Sequence, residues 1–127
     1  MKLVFMDYDN TLFSQMAEAL AKKFNKVENL QIESCGLREG KSLNKDMLKI
    51  MKNVGFDLKS NKIKILQDLN KVDILVTLGQ NIDVMFIPEN AKLCWNAHIY
   101  EDDLEKTRDV IARDIKKLLT DIKKGKY

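Results

Sequence analysis

From Ile74 to Leu78 the chain reads Ile-Leu-Val-Thr-Leu, just after Val72-Asp73, with no charged residue inside the run. A strand with one wet face alternates apolar and polar side chains, so a run that is apolar at successive positions belongs in the middle of a parallel sheet covered on both faces. Parallel neighbours need helical crossovers, and the rest of the chain supplies them. Leu3 to Met6 is a short apolar run ended by Asp7, and beyond a loop Met16, Leu20 and Phe24 recur at intervals of four, giving strand, loop and helix. Leu30 and Ile32 alternate with polar residues and predict a half-buried or edge strand, with a turn at Ser34-Cys35-Gly36. Asn44 is placed to cap a helix of about three turns carrying Met47, Leu48, Met51 and Val54, and Gly55 suits its left-handed end. Ile63, Ile65, Leu66 and Leu69 predict a helical turn or two, Asp83 to Ile87 a short helix, and Leu93-Cys94-Trp95 a last strand. Leu104, Ile111, Ile115, Leu118 and Ile122 mark a long terminal helix. The alternation predicts an α/β, three-layer domain with a central parallel sheet of about four strands.

At 127 residues, with one proline, five glycines and no Ser- or Gly-rich stretch, the chain is expected to form a single domain over 1–127. The net charge of +3 is small and its lysines are spread along the sequence, which argues against nucleic acid as a partner. The densest basic stretch, Lys116 to Lys126, reads as a solvated helix end whose cations complement the helix dipole. No apolar run approaches the ~20 residues that span a bilayer, and acidic residues come early in MKLVFMDYDN, so no membrane contact and a cytoplasmic location are expected. Cys35, Cys94 and the single His98 lack the spacing of a thiolate or imidazole site, and no metal is expected from them. Cys35 reads as a small turn residue and Cys94 as a semi-buried strand residue.

In an open parallel sheet, ligands bind beyond the carboxyl ends of the strands, where a loop entering a helix presents backbone N–H groups. The segment Asp7-Tyr8-Asp9-Asn10-Thr11-Leu12-Phe13-Ser14 occupies that position and is the candidate ligand loop. Together with Gln15-Met16-Ala17-Glu18-Ala19-Leu20 it resembles the low-molecular-weight protein tyrosine phosphatases and the related thioredoxin-coupled arsenate reductases, whose loop runs Cys, five residues, Arg, Ser. Ser34-Cys35-Gly36 is similar to the family's Ser-Ala-Gly turn, and Met51-Lys52-Asn53-Val54-Gly55-Phe56-Asp57-Leu58 to a further family segment. The run Asp73 to Gly79, the pair Pro88 and Trp95, and Thr107-Arg108-Asp109-Val110-Ile111 continue the likeness in order.

The departures fall on the chemistry. The resemblance puts the nucleophilic thiol at Asp7, the phosphate-clamping guanidinium at Phe13 and the general acid at Ile99, followed by Tyr100 where the family has proline. Gly79 to Pro88 also holds none of the relay cysteines of the arsenate reductases. Without a thiolate or a bidentate fork, and with Asp7 and Asp9 adding negative charge, the loop is unsuited to a phosphate dianion. Asn10, Thr11 and Ser14 remain, with loop hydrogen bonding and helix capping as their ordinary use.

A second resemblance competes. Leu3 to Leu12, an apolar strand followed by Asp-x-Asp-x-Thr, is similar to the first motif of the haloacid-dehalogenase phosphatases. This resemblance implies Asp7 as nucleophile, Asp9 as acid/base and a Mg²⁺ held by both, with Thr77 and Glu101-Asp102-Asp103 as further motif residues. Glu101 to Asp103 serve equally as a helix start.

The expectation is therefore a family member without thiol-based phosphatase activity, needing no cofactor and acting as a binding or regulatory domain. Phe13, Ile99 and Tyr100 make the former active-site face more apolar, with Tyr8 and Tyr100 on a pocket rim, which suits a protein partner; Phe13 turned inward as core is the other use of that residue. The alternative is a Mg-dependent phosphatase using Asp7 as nucleophile.

Overall fold

The computed structural model describes residues 1–66, 71–79, 92–95, 99–100 and 102–127. In chain order these form β1 (Lys2–Asp7), α1 (Phe13–Phe24), β2 (Gln31–Gly36), α2 (Lys45–Lys52), β3 (Ile74–Thr77), β4 (Lys92–Cys94) and α3 (Leu104–Lys123). The sheet order is β2-β1-β3-β4 and every neighbouring pair is parallel. The α/β fold with a four-stranded parallel sheet is the one expected.

Alternation along the strands divides the sheet into two faces. Leu3, Phe5, Ile32, Ile74 and Val76 join the main core with Met16 and Leu20 of α1, Met47 and Met51 of α2, and Ile111 and Ile115 of α3. Val4, Met6, Cys35 and Leu75 form a smaller cluster on the other face, against Leu37, Leu66 and Val72. Asp7 follows Leu3 and Phe5 in period two, which turns its side chain toward α1.

Three local expectations need correction. Ser34-Cys35-Gly36 is the end of β2 rather than a turn, paired with Phe5, Met6 and Asp7, and Cys35 is a buried strand residue. Gly36 is small for another reason: a Cβ there would lie 2.6 Å from the Asp9 carbonyl carbon. Residues 63–66 are not helical. The Gly36 N–H donates to the Lys64 carbonyl and the Leu66 N–H to the Gly36 carbonyl, so the segment lies along the outer edge of β2 with a bridge at Ile65. Ile63 and Ile65 already had the two-residue period that such an edge requires. α2 is eight residues long, shorter than expected. Asn44 caps it through Oδ1 to the Met47 N–H (2.9 Å), and Gly55 at φ 96° closes its end, with the Phe56 N–H donating to the Met51 carbonyl. Val54 is exposed. Leu69, the Asp83 to Ile87 helix, Pro88, His98 and Glu101 lie outside the described residues.

Candidate functional site

α1 begins without a conventional cap, because Leu12 has no side chain able to accept from the first turn. Asp7 takes that role from the end of β1. One carboxylate oxygen accepts from the Asn10 N–H (2.6 Å) and the Ser14 hydroxyl (2.7 Å), and the other accepts from the Ser14 N–H (3.1 Å). An anion thus sits at the positive end of α1, and that anion belongs to the protein itself. Asp7 is only 4% exposed. Burial raises its pKa above the ordinary value, the bonds from Ser14 and Asn10 pull it back, and the charge of Asp9 adds a smaller upward push.

Asp9 faces a different set of donors, the Thr11 hydroxyl at 2.6 Å and the Thr11 N–H at 3.3 Å. The two carboxylates are thus each held by their own turn. Among the described residues there is no cluster of three or more His, Cys, Asp or Glu side chains placed to hold a metal ion. Asp103 is the N-cap of α3, accepting from the Lys106 N–H at 3.0 Å.

Asn10 organises the interior of the loop. It is fully buried at φ 61°, a left-handed conformation that asparagine tolerates better than most side chains. Its amide nitrogen donates to the hydroxyls of Ser14 (2.8 Å) and Ser34 (3.0 Å). Each hydroxyl donates in turn to a carboxylate: Ser14 to Asp7, and Ser34 to Glu18 (2.5 Å). The Asn10 amide oxygen accepts from Gln15 Nε2 and from the Lys64 N–H, both at 2.9 Å. Gln15 also donates to the Lys62 carbonyl and accepts from Asn61, which stitches the loop to the edge segment. At the far end Glu18 is paired with Lys22 (2.8 Å) and Lys64 (3.1 Å). Burial pushes Glu18 upward, but Lys22, Ser34 and Lys64 together hold it below the usual carboxylate value. Among the described residues, no buried side-chain nitrogen or oxygen lacks a partner.

Phe13 is not on a rim. It is 8% exposed, belongs to the main core, and its ring comes within 3.2 Å of where a Cβ on Gly79 would stand. Of its two expected uses, the inward one is found. Ile99 packs partly buried against the same core. Tyr8 is 38% exposed with the Arg38 guanidinium 5.8 Å from its ring centre. Tyr100 is half-buried, its backbone tied to the Thr107 hydroxyl, with the Lys106 ammonium 4.1 Å from its ring centre. Tyr8 and Tyr100 thus have separate neighbours, Arg38 for one and α3 side chains for the other. The Cys35 thiol is on the opposite face of the sheet, and burial is the main cause that lifts it to about 12. Gln15, Glu18, Ser34 and Lys64 were not singled out as site residues by sequence reasoning. The available signal was the polar letters Ser14, Gln15 and Glu18 interleaved with the buried stripe of α1.

The family model described as low molecular weight phosphotyrosine protein phosphatase matches residues 2–93. The chain belongs to this family. Its fold is similar to that of the thioredoxin-dependent arsenate reductase of Corynebacterium glutamicum, at 22% identity and a TM-score of 0.81 over 98% of this chain and 62% of that one. It is similar to a protein tyrosine phosphatase of Entamoeba histolytica, at 19% identity and 0.81 over 100% and 99% of the two chains. An arsenate reductase of Archaeoglobus fulgidus gives 23% and 0.72 over 93% and 98%. At these identities the likeness is one of fold. The chain spans less than two thirds of the Corynebacterium enzyme's length. No curated protein sequence matches it.

Proposed function

We propose that this member of the family has no thiol-based phosphatase activity and acts as a binding or regulatory domain. The observation that carries the reading is the Asp7 carboxylate held by the Asn10 N–H, the Ser14 N–H and the Ser14 hydroxyl. Those are the donors that an incoming oxyanion would need, and an internal anion already engages them. A phosphate dianion approaching the same point would meet the charges of Asp7 and Asp9 with Phe13 folded into the core. Cys35, deep on the other face with its thiol lifted to about 12, is no substitute nucleophile.

The reading includes a protein partner at the loop face, contacted by exposed Tyr8 and half-buried Tyr100. It also includes a cytoplasmic location, in keeping with the free Cys35 thiol. Among the described residues no helix is long and apolar enough to cross a membrane.

The test is hydrolysis of p-nitrophenyl phosphate by wild type, Asp7→Ala and Asp7→Cys, each with and without Mg²⁺. No turnover is expected from wild type in either condition, nor from Asp7→Cys, which restores a thiol without a guanidinium. Turnover only with Mg²⁺ that is lost in Asp7→Ala would overturn the reading in favour of Asp7 as a metal-assisted nucleophile. Metal-independent turnover by wild type would overturn both.

A further inference from the structure

β1, α1 and β2 form a parallel crossover, so α1 runs back along the sheet and its C-terminal end lies near the N-terminal ends of the strands, away from the Asp7 loop. There the end of α1 meets the last turns of α3 around a groove of about 450 Å³. Its floor is apolar: half-buried Phe24 and Val27 and buried Leu119. Lys23 and Lys26 border it from the side of α1, and Lys116, Lys123 and Lys124 from α3; all five are exposed, and no carboxylate is among the lining residues.

The neighbouring Lys22 and Lys126 pair with Glu18 and Asp121. The five lysines of the groove form no ion pair among the described residues. Lys23 lies 5.2 Å from the Phe56 ring centre and Lys116 4.5 Å from that of Phe24. A helix C-terminus favours a nearby cation within its last turn. Two such ends account for one or two lysines apiece, not for a ring of five enclosing an apolar floor.

We infer that this groove docks an acidic peptide segment of a partner protein, with an apolar side chain on Phe24, Val27 and Leu119 and carboxylates on the surrounding lysines. Charge complementarity selects the sign of the partner and the floor selects its kind. A nucleic-acid backbone would engage the lysines and leave the apolar floor unused. A bilayer is entered by protruding apolar side chains, whereas these three are recessed. A peptide with both features matches both parts of the surface. The inference is independent of the chemistry at Asp7.

The probe is a fluorescein-labelled peptide with a Leu-Phe pair between runs of glutamate, titrated with the full chain and read by fluorescence anisotropy. Saturable binding is expected, weakened about tenfold or more in Lys23→Glu/Lys116→Glu/Lys123→Glu, and weakened similarly when the Leu-Phe pair becomes Ser-Ser. These lysines are exposed, so the far-ultraviolet circular dichroism of the variant should match wild type. Raising salt should also reduce the affinity. Four outcomes would overturn the inference: no saturable binding through the millimolar range, binding unchanged in the triple variant, equal binding of the Ser-Ser peptide, or tighter capture by a single-stranded oligonucleotide or by phosphatidylserine vesicles.

Discussion

Asp7 and Glu18 are both buried, and each accepts a hydrogen bond from a serine hydroxyl to which Asn10 in turn donates, yet their surroundings differ. Glu18 has two lysine ammonium groups within 3.1 Å, whereas Asp7 has no cation partner among the described residues and is held by neutral donors alone. Burial acts the same way on both. Its consequence is reversed at Glu18 because the cations and the Ser34 bond outweigh it, and retained at Asp7 because hydrogen bonds offset it only in part. The Glu18 end is a strut between α1, β2 and the edge segment. The Asp7 end keeps an incompletely compensated charge at the entry to α1.

The hardest way to break this comparison is to remove what joins the two ends. Asn10→Ala deletes two donated and two accepted side-chain bonds and puts an ordinary side chain at φ 61°. Leaving those buried groups unpaired is expected to cost about 4 kcal/mol. Asn10→Gly, which relieves only the backbone, should recover about 1 kcal/mol of it. Urea unfolding followed by the fluorescence of buried Trp95 measures both; a loss under about 1 kcal/mol in Asn10→Ala would mean that the Asn10 side-chain bonds contribute little.

A smaller effect separates the two ends. Asp7→Ala leaves the Asn10 N–H, the Ser14 N–H and the Ser14 hydroxyl without their acceptor, at an expected cost of about 2–3 kcal/mol. Glu18→Gln still accepts from Ser34 and loses ion pairs whose lysines are substantially solvated, at about 1 kcal/mol. Equal losses in the same unfolding assay would erase the distinction drawn here.

The finest test is the sign of the pH dependence. For Glu18, lowered in the folded state, stability is present above the unfolded value of 4.5 and is lost as pH falls through the folded value. The advantage of wild type over Glu18→Gln should therefore shrink on acidification. For Asp7, raised in the folded state, the contribution is greatest below 3.8 and falls as pH climbs through the raised value. The advantage of wild type over Asp7→Ala should grow on acidification. Parallel trends in the two variants would contradict the opposite shifts.

The sheet was legible because apolar patterns report burial directly: the unbroken run Ile74 to Thr77 in the centre, and helical spacing in Met16 and Leu20 on α1 and Ile111 to Ile122 on α3. Ile63, Ile65 and Leu66 were misread because three apolar residues in four suit a helix turn as well as an edge, and the choice rests on pairing with Gly36. The position of Asp7 to Ser14 at the strand end was legible, as were the polar uses of Asn10 and Ser14. Their partners were not. Ser34 is 24 residues from Asn10 and Lys64 is 54, and periodicity carries no information about pairing over such separations. The inward Phe13 depends on the absence of a side chain at Gly79, a fact about space rather than pattern.

The stitching of Asn10 and Gln15 to residues 61–64 also has a temporal meaning. β1, α1 and β2 are contiguous and can assemble with short-range searches, but their loop is complete only when the chain returns along the outer edge of β2. Until it does, the left-handed Asn10 lacks the bond from the Lys64 N–H, one of its four side-chain bonds, so a nascent chain ending near Gly36 holds the strain with part of its support missing. In pulse-labelling hydrogen exchange, the amide of Lys64 should gain protection after those of Phe5 and Ser34, making closure of the loop a late event in folding.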